Sequence, residues 1–240
     1  MSQQSVKPTC RSLFINLISL GSGCWGLSQA TKLILPPTLS SAGHKQFLTN
    51  ISVVATLISN VWNILNFFIQ RSSLNVNILN GFNYISRHLV LPIGLVLETV
   101  VPLVYWPLRL FAMKLIMQGV EDGKSPVPVP VDLAIHFFPC IFLLSDHYLS
   151  GSGSKFKISN LKAWVIVTGL GLAYYKYLAL LIDTSKGQKY PYPFLDVEEP
   201  YKSIIFVCVT TVAWSFYTLY QKFPPCTSAK KIASDVKKQN

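Results

Sequence analysis

The chain has 240 residues, half of them hydrophobic and only 13% charged, with a mean hydropathy of +0.39. Its charged share is about half that of an ordinary soluble domain, which excludes a water-soluble enzyme and points to an all-α, polytopic integral membrane bundle. The formal charge of +11 lies between apolar runs and in the tail, so it fits membrane orientation and excludes nucleic-acid recognition.

Met1 to Lys7 is polar, and the first apolar run lacks a small-residue cleavage site, so no cleaved signal peptide is expected. About six spans of roughly 20 residues can then be drawn. The first, Ser12 to Ala30, is the weakest, diluted by Asn16, Gly21, Ser22 and Gly23. The second is Phe47 to Gln70. Arg71 to His88 is polar enough for a loop or an interfacial helix, and the third span follows from Leu89 to Phe111 with Pro92, Glu98 and Pro102 inside it. Ser125 to Pro130, SPVPVP, predicts a stiff extended connection.

The fourth span is Val131 to Leu149, and Ser150 to Ser154, SGSGS, reads as a flexible connection. Ala163 to Ile182 and Tyr201 to Tyr220 complete the set. Residues 1–222 therefore form one transmembrane domain, and 223–240 a lysine-rich, disordered tail. No internal repeat supports a transporter-like inverted architecture. The five cysteines are scattered and show no metal or disulfide spacing, so no metal or cofactor is expected.

Basic residues modestly favour cytosolic placement of both termini. The pair Lys237 and Lys238 near the end of the chain matches a dilysine signal read by a retrieval coat, which places the protein in the endoplasmic reticulum membrane; the alternative is a chance pair in a basic tail.

The fourth span is the most informative. It carries Asp132, His136 and Asp146, and ionisable groups inside hydrocarbon are functional candidates by default. Imidazole exchanges a proton near neutral pH, which singles out His136. Asp132, four residues earlier on the same helical face, either orients the ring or supplies a helix-start charge. Asp146 and His147 fall at the span's far end and are expected at the interface. Glu98 is deeper, placed to pair with Lys176 or to protonate. Spans two and four run in the same direction, so Thr49, near the start of one, and His136, near the start of the other, share a membrane face. GxSxG, HExxH, phosphate-loop and dinucleotide motifs are absent.

Four blocks resemble the androgen-induced membrane protein family, in the family's order and over most of the chain. They are Gly43 to Thr49 (GHKQFLT), Arg87 to Gly94 (RHLVLPIG), Asp132 to His136 with Pro139, and Tyr192 to Leu195 (YPFL). The resemblance implies a multi-pass hydrolase of fatty acid esters of hydroxy fatty acids, with Thr49 as nucleophile and His136 as base. Lys45-Gln46 and Asp132-Leu133 depart from the family's pattern and bear on substrate more than on chemistry. A threonine hydroxyl is a weak nucleophile that needs such a base. The rival expectation is a non-enzymatic lipid-binding or transport protein that uses Glu98, Asp132 and His136 as a polar pathway. The expected partners are a lipid substrate and the bilayer.

Overall fold

A computed structural model describes residues 6–118 and 125–226. Among them the chain is helical and contains no strand. The main helices are α1 (Cys10–Ala30), α2 (Leu48–Ile69), α3 (Val76–Phe111), α4 (Val129–His136), α5 (Phe138–Tyr148), α6 (Asn160–Leu181) and α7 (Tyr201–Lys222). Four of them, α2, α3, α6 and α7, are long and apolar enough to cross a membrane, and α4 with α5 makes a bent fifth. The count of six is therefore approximate, because α1 has the length but not the apolarity.

The buried face of α1 is Ser12, Asn16, Ser19, Gly23, Gly26 and Ala30, spaced by three or four residues. Small residues at this spacing let backbones approach closely. A Cβ at Gly26 would stand 2.8 Å from the Ala134 Cβ on α4, and one at Gly23 would stand 2.9 Å from Leu57 on α2.

Three stretches add to or depart from the expected pattern, the first by deciding between loop and helix. The segment 71–88 is largely helix: Asn75 caps it by accepting from the Asn77 amide at 2.9 Å, and it runs into the third span without interruption. Residues Ile85–Val90 form a π-helical turn. A proline ring clashes with the carbonyl four residues before it; widening the turn ahead of Pro92 relieves that clash and keeps the helix continuous. In the fourth span the same chemistry breaks the helix. Pro139 cannot donate to Ile135, Phe137 leaves helical geometry (φ −136, ψ −55), and the axis bends by 40°.

The third difference is the SGSGS stretch, which is pinned rather than free. The Thr9 hydroxyl donates to the Ser150 carbonyl at 2.6 Å, and the Thr9 amide donates to the Ser152 hydroxyl at 2.9 Å. Residues 223–226 follow α7 without helix; the rest of the expected tail, including Lys237 and Lys238, lies outside the described residues.

The body of the bundle is α1 to α5. Leu91, Leu95 and Val96 of α3 pack with Leu143 of α5, while α6 buries only Ala163 and Leu178. The α6–α7 pair thus leans on the body as a separate hairpin. A cap covers one end of the bundle: Tyr174 donates to the Gln46 carbonyl at 2.8 Å, the Lys189 amide to the Thr38 carbonyl at 3.1 Å, and Gln118 to the Tyr190 carbonyl at 2.7 Å.

Candidate active site

Asp132 and His136 lie one turn apart on α4, and both side chains are buried. The Asp132 carboxylate has three partners. His136 Nδ1 is 2.8 Å from one oxygen, the Tyr105 hydroxyl donates to the same oxygen at 2.5 Å, and Arg109 Nε pairs with the other. The Tyr105 ring stacks on the imidazole with centroids 3.5 Å apart and planes 3° from parallel. Trp106 Nε1 donates to the His136 carbonyl at 3.3 Å. A proton on Nδ1, shared with the carboxylate, leaves Nε2 with the lone pair a base needs; Nε2 makes no hydrogen bond among the described residues.

Tyr105, Trp106 and Arg109 were not among the residues singled out from sequence. Their signal was an arginine one turn after a tyrosine at the end of an apolar helix, which reads equally well as an interfacial anchor. Arg109 and Arg87 are both drawn into the protein as ion-pair partners. They flank opposite ends of the third span, one on each side.

Thr49 is the second residue of α2, where first-turn amides have no partner within the helix. Its side chain is buried and faces a cavity of about 160 Å³. The Tyr192 phenol of the YPFL turn lies against the Thr49 hydroxyl and the amides of Leu48 and Thr49. Burial raises the pKa of this phenol above its usual value, with the threonine and the amides opposing, so it stays a neutral donor. The YPFL turn is therefore part of the wall around Thr49.

The cavity runs between α3, α6 and α7. Its lining reaches from Thr49, Tyr105 and Tyr192 at the capped end to Pro92, Ala163 and Tyr217 at the other. Thirteen residues of α3 separate Pro92 from Tyr105, a depth of about 20 Å at 1.5 Å per residue. Between those ends the walls are almost entirely apolar, aliphatic on α3 with Phe206 on α7. An open cleft of about 670 Å³ between α2 and α6 shares Leu48 and Tyr174 with it and has His44 and Lys45 at its rim.

Thr49 and His136 share an end of the bundle. Val53, one turn beyond Thr49, packs with Val131 and Ile135. The two are not in hydrogen-bond contact. Thr49 and Tyr105 line the same cavity, and His136 lies behind Tyr105.

Other expectations need correction. Glu98 does not meet Lys176, which is exposed; it is fully buried and accepts from the Thr56 hydroxyl at 3.1 Å. Asp146 and His147 are not interfacial but buried. Asp146 pairs with Arg87 of α3, accepts from Ser12 of α1, and lies 3.5 Å from the Asn63 amide of α2. Among the described residues no group of three or more His, Cys, Asp or Glu is placed to hold a metal.

The family model described as FAR-17a/AIG1-like protein matches residues 9–224, which is nearly the whole described bundle. The chain belongs to the FAR-17a/AIG1-like family. A UPF0641 membrane protein of Saccharomyces cerevisiae is 57% identical over 220 residues, 91% of this chain and 92% of the relative. A UPF0641 membrane protein of Schizosaccharomyces pombe is 26% identical over 187 residues, 78% of this chain and 77% of the relative. No solved structure matches the chain. As a FAR-17a/AIG1-like protein it is a membrane protein, consistent with its apolar helices.

Proposed function

We propose that this FAR-17a/AIG1-like protein is a lipid-ester hydrolase, with Thr49 as nucleophile and His136 as base. The observation that carries the reading is a helix-start threonine at one end of a deep apolar cavity, with a carboxylate-held imidazole stacked behind the Tyr105 wall of that same end. One leaflet of a hydrocarbon core about 30 Å thick is roughly 15 Å deep, so a cavity of this depth accepts a single acyl chain lying along the bilayer normal. The ester carbonyl then sits beside Thr49, and the second chain leaves through the open cleft. Fatty acid esters of hydroxy fatty acids have that branched shape.

In the reaction, Thr49 Oγ attacks the carbonyl carbon and passes its proton to His136 Nε2. The leaving alcohol takes that proton as its C–O bond breaks, and the acyl group stays on Thr49 as an ester. Asp132 fixes the ring, as the third member of a triad does. The amides of Leu48 and Thr49 and the Tyr192 hydroxyl are the donors for the oxyanion. Direct transfer between Thr49 and His136 requires the Tyr105 ring to turn aside, which makes Tyr105 a gate. We place both termini on the cytosolic side of the membrane, on the charge bias of the connections.

A fluorophosphonate probe tests the assignment. It should label the purified protein at Thr49, and Thr49→Ala or His136→Ala should abolish labelling. Undiminished labelling of both variants rejects the site. A lipid-binding protein without catalysis would instead retain the acyl ligand unhydrolysed and take no label.

A further inference from the structure

The buried face of α2 is polar along nearly its whole length: Thr49, Ser52, Thr56, Ser59, Asn60, Asn63 and Asn66, spaced by one to four residues. In a bilayer the outward face of a helix is apolar, and an inward polar face must find partners. Much of this one does. Ser52 donates to the Thr49 carbonyl at 2.8 Å and lies beside Glu98. Asn60 donates to Ser19 at 2.9 Å, and Asn63 donates to Asn16 at 3.2 Å. Beyond Asn63 the row reaches Asp146 and, through Ser150 and Ser152, the loop at the uncapped end.

Among the described residues, three atoms in or beside the middle of this row have no protein partner: Ser59 Oγ, Asn60 Oδ1 and, on the facing α3, Glu98 Oε2. All three residues are fully buried. Buried polar atoms left over in this way are satisfied by internal water, which needs two to four such partners. Apart from the open cleft beside Leu48, the surroundings of Thr49 offer water little. The cavity is apolar, and Ala42, Leu178 and Leu195 pack with the aromatic residues of the cap above it.

We propose that the polar face of α2 holds a file of water molecules that enters from the Asp146 end, passes Asn60, Ser59 and Glu98, and supplies the hydrolytic water at Thr49. The proposal rests on the acyl-enzyme reading above. Deacylation consumes one water. Its oxygen attacks the acyl carbonyl, its proton passes to His136 Nε2 and then to Thr49 Oγ as the Thr49 ester bond breaks, and a carboxylic acid is released.

X-ray radiolysis after rapid mixing with heavy-oxygen water tests the file without reference to catalysis, because radicals formed from bound water oxidise adjacent side chains even when these are buried. Cys140, buried beside Thr99 and Glu98, is the reporter. The wild-type protein in detergent should incorporate heavy oxygen at Cys140 and on the α2 peptide within milliseconds, and Asn60→Leu should suppress it. With a p-nitrophenyl acyl ester, Asn60→Leu and Glu98→Leu should slow deacylation by about tenfold or more while acylation changes less than about twofold. Absence of label in the wild type overturns the file. Label with unchanged deacylation in both variants overturns its role as supply. Failure of the wild type to form an acyl-enzyme, with labelling retained, removes the hydrolase reading and leaves the file standing.

Discussion

The Arg87–Asp146 pair makes the most demanding energetic prediction. It joins α3 to α5, and the same carboxylate takes the Ser12 hydroxyl from α1 and approaches the Asn63 amide of α2. The side chains are 3% and 1% exposed, respectively. Replacing Arg87 by Leu leaves a buried carboxylate with only neutral partners. Replacing Asp146 by Leu leaves a guanidinium with the Ser12 hydroxyl at 2.8 Å. Breaking such a pair from one side costs about 3–5 kcal/mol, whereas replacing both members by apolar residues is often near neutral. At roughly 2–4 °C per kcal/mol for a chain of this size, each single variant should melt about 6–20 °C below wild type. Arg87→Leu/Asp146→Leu should recover most of that loss. Tryptophan-fluorescence melts in one detergent, at matched protein concentration, provide the measurement. If the double variant loses the sum of the two singles, the charges are not compensating each other and the reasoning fails.

Asp132→Asn should lower esterase turnover by up to about four orders of magnitude, as when a triad carboxylate becomes an amide, with the protein still folded by gel filtration. Ala213→Phe fills the cavity wall well away from Thr49; it should remove activity on long-chain esters and spare short ones, read as a shift in kcat/KM across a chain-length series. Gly26→Val drives a side chain into Ala134 and Ile135 and should cost about 1–3 kcal/mol by overpacking, seen as a lower melting temperature. Outside the membrane, the Ser203 hydroxyl and then the Tyr175 phenol hold the Glu199 carboxyl below its ordinary pKa. The stabilisation this gives is present above the ordinary carboxylate pKa and is lost as pH falls through the depressed value. Glu199→Gln should therefore flatten the acid limb of a melting-temperature profile.

The membrane bundle was legible because apolar runs of bilayer length mark their own helices. Asp132 and His136 were legible together because four residues on a helix fix a shared face. The helix from Val76 was legible only as one of two alternatives, loop or interfacial helix; what decides it is tertiary, since Asn83 accepts from Asn66 at 3.0 Å and the Leu79 carbonyl accepts from Gln70 at 2.6 Å. Those partners settle what local propensity leaves open. Asp146 looked interfacial because its partner lies 59 residues away on another helix, and sequence does not give the rotation that turns the two together. Proline read differently at two places. Pro92 was absorbed by a π turn while Pro139 broke its span, and nothing local distinguishes them. Tyr192 was recognisable as part of a motif, but its placement against the first turn of α2 depended on the cap.

The α6–α7 hairpin meets the body chiefly through α7, where Val209, Ala213, Tyr217 and Tyr220 pack on the α3 cluster. α6 buries only Ala163 and Leu178, and the mid-helix residues of the pair are largely open to the bilayer. One side of the cavity, α3, thus belongs to the body, while the other two are the hairpin itself, whose outer faces meet lipid. Bilayer thickness and tension then become variables of the protein itself: a stretched or thinned membrane would widen the seam and admit a bulkier chain. Through that seam, the composition of the membrane would select what reaches Thr49.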